Sequence, residues 1–353
     1  MSLSMPTATS LSSQNPQIAK PKIVRRTANF QPSIWGDQFL KYDSQYIKTE
    51  AIWQQQVDKL KLEVKREVCR NECDFSPRLN LIDAIQRLGV AYHFGKEIDE
   101  ALQHIHGHYH YSDDGDLYNV ALCFRLLRQH GYHISSADIF NKFKDANGCF
   151  KESLVADPSG MLSLYEASHL RVHKEDILEE ALVFTTTHLE SAKDNACYPV
   201  QLREQITQAL ARPLRKSLDR ICAKRYMSIY QDAHHASNKQ NEALLKLAKL
   251  DFNLVQSLHK KELCEITRWW NELDFETKLP FARDRKVELF FWIVGVYFEP
   301  QYSTGRSIMT KVSILLTVLD DIYDAYATFE ELVIFTEAID RWDVKCIDEL
   351  PAT

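Results

Sequence analysis

Val318-Leu319-Asp320-Asp321-Ile322-Tyr323-Asp324 sets three carboxylates within five residues, directly behind the apolar run Val312-Ser313-Ile314-Leu315-Leu316-Thr317-Val318-Leu319. The run predicts a buried helix. On it Asp320 and Asp324 are four residues apart and share a face, with Asp321 about 100° round. Three acids at the end of an apolar helix repel one another and resist burial unless a positive charge stands among them. The helix dipole also disfavours acids at a C-terminal end. Oxygen ligands with no His or Cys nearby point to Mg²⁺ or Mn²⁺ rather than zinc. Mg²⁺ keeps several waters, takes one or two carboxylates and completes its shell with substrate phosphate. Taken alone, the stretch also fits a solvated acidic helix end.

Outward from this stretch, helical periodicity dominates from residue 38. Ser76-Pro77 predicts an N-cap followed by proline at N1, and Gly89 a stop after Leu79–Leu88. Gly131 predicts a second stop, and Gly148 a third, after a helix over Asp138–Asn147. Pro213 breaks Gln201–Tyr230 into two helices. Asn241–Leu273 is long and Leu-rich, and Glu288–Phe298 is nearly all apolar, as expected of a helix buried on most sides or lining a pocket. Thr328-Phe329-Glu330-Glu331 fits a capping box opening a helix through Trp342. No run of period-2 alternation competes, so the fold class is all-α. The polar stretch Asp232–Glu242 is the expected border, giving residues 1–24 as a disordered leader, 25–235 as an N-terminal helical domain and 236–353 as a C-terminal domain.

Composition excludes several classes. A net charge of −6 argues against nucleic-acid binding. Ten glycines and no GxGxxG or GxxxxGK[ST] argue against a glycine-rich phosphate loop. Eight scattered cysteines without a CxxC pair read as reduced thiols. No apolar run is long enough to span a membrane, and the leader has no secretory apolar core. A cytoplasmic monomer is expected.

Three further groups bear on chemistry. Arg283 and Arg285, within Phe281-Ala282-Arg283-Asp284-Arg285, cannot share a helix face and reach in different directions. Guanidinium forks suit phosphate, though the pair also fits surface salt bridges. Phe290, Phe291, Trp292, Tyr297 and Phe298 crowd one helix, and ring faces attract cations, most strongly in Trp; core packing accounts for such rings equally well. His104, His106, His108 and His110 alternate as on a strand face, but their surroundings read as a solvated loop rather than a metal site.

These residues together resemble the plant terpene synthase family, in the angiosperm sesquiterpene type of δ-cadinene and germacrene D synthases. Asp320-Asp321-Ile322-Tyr323-Asp324 is similar to the DDxxD motif, and Arg283-Asp284-Arg285 to the RxR motif upstream. Arg25-Arg26, eight residues and Trp35 match the RRx8W signature. Arg87–Phe94, Arg268-Trp269-Trp270 and Tyr297–Tyr302 resemble other stretches of the family. The resemblance runs from about Arg25 to Thr353.

It implies an N-terminal α-helical barrel-like domain followed by the first part of a class I terpenoid synthase α-bundle. It implies a lyase that ionises and cyclises farnesyl diphosphate, with Mg²⁺ as cofactor and Mn²⁺ as the alternative. Asp320, Asp321 and Asp324 would face the diphosphate through the metal, Asp320 and Asp324 as direct ligands. Arg283 and Arg285 would stabilise the departing anion, and Trp292 the cationic intermediates. Geranyl diphosphate is the alternative substrate, and the short leader argues against it. No DxDD motif occurs; Asp113-Asp114-Gly115-Asp116 has the wrong spacing. The family's second metal motif, (N/D)Dxx(S/T)xxxE, has no counterpart before Thr353. That departure raises the expectation of a truncated, diphosphate-binding chain that does not cyclise its substrate alone.

Overall fold

The computed structural model describes residues 25, 28–41, 47–70, 75–108, 115–233 and 239–345. The expected leader, Arg26 and His110 lie outside these. Among the described residues there are helices and one isolated bridge, Lys144 with Phe150, but no strand. The residues divide into two compact units interleaved along the chain. The larger takes 35–273 and 286–313; the smaller takes those up to Ile34, with Asp274–Arg285 and those from Ile314.

The larger unit is built on α1 (Ile47–Val68), α2 (Ser76–Arg87), α3 (Gly95–His108) and α4 (Leu117–Gln129). After α5 (Ser136–Phe140) come α6 (Pro158–Ser168), α7 (Asp176–Ala192), α8 (Val200–Ala211), α9 (Asp219–Ala233) and the 35-residue α10 (Lys239–Leu273). One core joins Val57 and Val64 of α1, Ile82 and Ile85 of α2, Leu102 of α3 and Leu244 and Leu247 of α10. Leu122 and Leu126 of α4 face this core, whereas Val120 and Phe124 face a second one with Phe140, Leu164 and Leu178. Helix α4 is therefore apolar almost all round, as a helix buried between two layers must be.

Several local expectations are corrected. Ser76 is the first residue of α2, and its hydroxyl donates to Asn119 Oδ1 at 2.9 Å instead of capping. Helix α5 ends at Phe140; the Asp145 carboxylate then accepts from the Asn147 and Cys149 N–H groups, and Gly148 (φ +80°) completes a tight turn. His104, His106 and His108 belong to α3, not a loop. Ile98, Ala101, Leu102 and Ile105 bury one helix face, and that period overrides the alternation of histidines. The His104 and His108 rings stack at 4.4 Å. The stops at Gly89 (φ +74°) and Gly131 (φ +85°) are present, and at Gly89 an added Cβ would sit 3.0 Å from the Ala223 Cβ.

The smaller unit holds α11 (Phe275–Lys278), the last part of α13 (Ser303–Asp321) and α14 (Phe329–Arg341); α12 (Lys286–Val296) lies in the larger one. Of the two expectations for α12, burial on most sides or lining a pocket, the first does not hold. Val287, Leu289 and Phe290 are buried, while Phe291, Trp292 and Val296 are exposed. On α13, Ile314 and Val318 are buried at helical spacing, and Leu315 and Leu316 are exposed.

Within the larger unit Arg306 is wholly buried. Its Nε and Nη2 donate to Glu262 at 2.9 and 2.7 Å, and Nη1 donates to the carbonyls of Tyr297 and Glu299. Every face of the charge is compensated, so removing one partner leaves the other stranded. Glu262→Gln is expected to lower stability by about 3–5 kcal/mol, read from the urea midpoint. Glu166 behaves oppositely. Burial pushes its carboxyl up to about 7, while it accepts from the Leu214 N–H. The folded state therefore holds this proton more tightly than the unfolded chain, and stability falls as pH rises from about 4.5 to 7. Glu166→Gln keeps the acceptor and is expected to stabilise the protein at pH 8 by roughly 1–3 kcal/mol, with little effect at pH 4.

Candidate functional site

The acidic stretch sits where α13 changes winding. Asp320 and Asp321 close the α-helix, and Ile322–Tyr326 forms a π-helical turn, with the Ala327 N–H donating to the Ile322 carbonyl at 2.9 Å. Such wide turns recur at functional sites. Asp320 and Asp324 are exposed, whereas Asp321 is completely buried.

Arg283 supplies the positive charge that the acids require. Its Nη2 donates to Asp320 Oδ2 at 2.7 Å, and its backbone N–H donates to Asp321 Oδ2 at 2.7 Å. Its Nε lies 2.6 Å from Asp321 Oδ1, but neither atom has a well-directed hydrogen bond, so this contact is an ion pair in poor alignment. The Phe30 ring covers the guanidinium at 4.5 Å. Arg285 turns elsewhere, donating to the carbonyls of Gln31 at 3.2 Å and Asp284 at 3.0 Å. The two arginines thus diverge, as their spacing predicted.

A second layer surrounds the turn. Thr328 and Glu331 form the expected capping box of α14. Glu331 has a further role: both its oxygens accept from Arg25 at 2.8 Å. That pairing holds the Glu331 carboxyl below the usual carboxylate range. Arg25 also lies 4.3 Å over the Tyr326 ring, whose plane stacks on Phe281 at 3.6 Å. Arg25, Tyr326 and Phe281 thus form a continuous stack beside the π turn. Sequence reasoning missed Phe30, Phe281, Tyr326 and the Arg25–Glu331 pair. The capping box was its one available signal, because the pair is 306 residues apart in the chain.

The donor set can be tested against a metal. Among the described residues no three His, Cys, Asp or Glu side chains form a metal-holding group. Asp321 is turned inward and committed to Arg283, so the three acids are not equivalent; Asp320 and Asp324 are the two expected as direct ligands. Asp320 and Asp324 remain as open carboxylates. Two carboxylates without His or Cys fit Mg²⁺ shared with a phosphate, and do not make a closed protein cage. Trp292 stands on α12 of the larger unit and is 66% exposed.

Residues 34–210 match the model of the terpene synthase N-terminal domain, and residues 271–353 that of the terpene synthase metal-binding domain. The chain belongs to the terpene synthase family. A (−)-alpha-pinene synthase of Fragaria vesca is 60% identical over 98% of this chain and 61% of its own length. A (−)-germacrene D synthase of Vitis vinifera is 56% identical over 94% of this chain and 58% of its own length. A crystal structure of limonene synthase with 2-fluorolinalyl diphosphate superposes with a TM-score of 0.81 at 38% identity, covering 93% of this chain and 60% of that one. Isoprene synthase from grey poplar, in complex with three Mg²⁺ ions and dimethylallyl-S-thiolodiphosphate, gives 0.78 at 42% identity over 85% and 56%. The chain spans about three fifths of the length of the relatives it matches. These neighbours share the class I terpenoid synthase α-fold, so the all-α expectation and the family expectation both hold.

Glu331→Gln is expected to weaken the Arg25 clamp by about 1–2 kcal/mol, the range for a charge-assisted pair losing one charge. Limited proteolysis should then cut within residues 25–34 faster than in the unsubstituted protein, with the helices beyond residue 47 unaffected.

Proposed function

We propose that this chain binds a prenyl diphosphate through Asp320, Asp324, Arg283 and Arg285, in the Mg²⁺-dependent ionisation and cyclisation of farnesyl diphosphate to a cyclic sesquiterpene. The observation that supports it best is Arg283 held between Asp320 and Asp321. One guanidinium there touches the expected metal ligands and still has Nη1 without a protein partner among the described residues. Bound Mg²⁺ supplies positive charge that stabilises the departing diphosphate; Mn²⁺ has the same preference for oxygen.

The chain's own residues divide the work. Asp320 and Asp324 would hold the ion. Asp321 acts as a positioning residue, fixing the Arg283 backbone and side chain together. Arg283 offers Nη1, and Arg285 its remaining donors, to diphosphate oxygens. Trp292 is the ring that the family resemblance assigns to stabilising cationic intermediates. The border between an N-terminal helical domain (25–235) and a metal-binding domain (236–353) belongs to this proposal, as do the cytoplasmic location and the monomeric state. Among the described residues no helix is long and apolar enough to cross a membrane.

A second reading, geranyl diphosphate as substrate, is favoured by the 60% identity to an alpha-pinene synthase. Titration with an inert farnesyl thiolodiphosphate is expected to show Mg²⁺-dependent binding, about tenfold or more weaker in Asp320→Ala and Arg283→Ala. Incubation with farnesyl or geranyl diphosphate, followed by gas chromatography and mass spectrometry, selects the substrate. Binding without product from either selects diphosphate binding without turnover.

A further inference from the structure

Helix α3 regroups the histidines that alternate in the sequence. On a helix, residues two apart lie on different sides, and residues four apart share a face. His104 and His108 therefore stand together, their rings stacked at 4.4 Å with 21° between the planes. His106 packs instead on the Tyr132 ring at 4.8 Å. The pair lies outside the buried face of Ile98, Ala101, Leu102 and Ile105, and both its residues are exposed. The Phe75 ring, at the N-cap of α2, flanks His104 at 5.7 Å.

One hydrogen bond fixes the chemistry of His108. Its Nδ1 lies 2.9 Å from the His104 carbonyl oxygen. A carbonyl only accepts, so Nδ1 carries the proton and donates it. In the neutral ring Nε2 then keeps its lone pair and faces away from the backbone. A carbonyl on the far nitrogen is the arrangement that orients a metal-ligating imidazole.

We propose that His104 and His108 form a two-nitrogen site on α3 for a divalent late transition metal ion, Ni²⁺, Cu²⁺ or Zn²⁺. Imidazole suits these ions, whereas Mg²⁺ takes oxygen ligands. Two nitrogens each about 2.0–2.1 Å from one ion stand at most about 4.2 Å apart. Rings already in stacking contact reach that separation by a turn of the exposed His104 ring. The buried face anchors the helix, so once one nitrogen binds, the second meets the ion at high effective concentration. Glu100, one turn before His104, is directed to Lys96 at 3.7 Å. Among the described residues no third His, Cys, Asp or Glu completes a group with the pair. Water fills the remaining positions, so the site exchanges its ion rather than enclosing it.

The test is isothermal titration of the untagged whole chain with Ni²⁺ at about pH 7.5, where a free imidazole is largely neutral. Ni²⁺ is chosen because Cys69, Cys149 and Cys197 are exposed thiols, and thiolates favour copper and zinc. One Ni²⁺ per chain is expected to bind, at least tenfold more weakly in His104→Ala and in His108→Ala, which each lose the chelate. His106→Ala should bind as the unsubstituted chain does, and a large excess of Mg²⁺ should not displace the ion. Ni²⁺ should also raise the thermal midpoint of the unsubstituted chain but not that of His104→Ala, because the ion ties successive turns of the folded helix. Circular dichroism checks that these exposed substitutions leave the helices intact. Absence of Ni²⁺ binding, undiminished binding by His104→Ala or His108→Ala, equal weakening by His106→Ala, or displacement by Mg²⁺ would each overturn the proposal.

Discussion

Burying Asp321 is the constraint from which the smaller unit follows. A carboxylate with no solvent exposure at the C-terminal end of a helix faces both desolvation and an unfavourable dipole. It persists only because Arg283 brings two positive groups to it, a backbone N–H and a guanidinium. Segment 281–285 is thereby tied to the end of α13, and its fold cannot be separated from the acidic stretch. Asp320 profits from the same charge without being buried. Two acids adjacent in sequence thus have different physical roles: one secures the arginine, and the other is open to exchange it.

The residues before Ile34 complete this arrangement. Phe30 covers Arg283, the Gln31 carbonyl accepts from Arg285, and Arg25 pairs with Glu331. All three contacts join a segment near the start of the chain to residues more than 250 positions later. Glu331 is the hinge of the set, since it serves the capping box of α14 and Arg25 with the same carboxylate. Ordering of the early segment and initiation of α14 are therefore coupled.

Much of this was legible in the sequence, and the omissions have physical causes. Helix type and stops followed from periodicity and from glycines that need positive φ, as at Gly89 and Gly131. The capping box followed from Thr328 and Glu331. Local signals failed where tertiary burial decided: Ile98 and Ile105 drew three histidines into α3, and Asp145 diverted a helical pattern into a turn. The acidic stretch stood out in the sequence by its need for a positive charge. What could not be read was that Arg283 meets that need for Asp321, because spacing alone does not say which of three carboxylates turns inward. The stack of Arg25, Tyr326 and Phe281 was equally invisible, since nothing local marks contacts across 300 residues.

The arginines of this chain form a series in how fully their donors are used, and the series separates structure from chemistry. Arg306 has no exposure, and its donors go to Glu262 and two carbonyls; nothing is left to bind anything else. Arg283 satisfies two acids, one of them exposed, and retains Nη1. Arg87 has only a neutral amide at the long end of hydrogen bonding, a shared acid and an empty Nε. Leaving a buried donor unsatisfied costs on the order of 1–3 kcal/mol, and most folds remove such costs by repacking. On Arg87 that donor is sealed among protein atoms, and the guanidinium ties α2 to Gln205 and the Tyr226 ring.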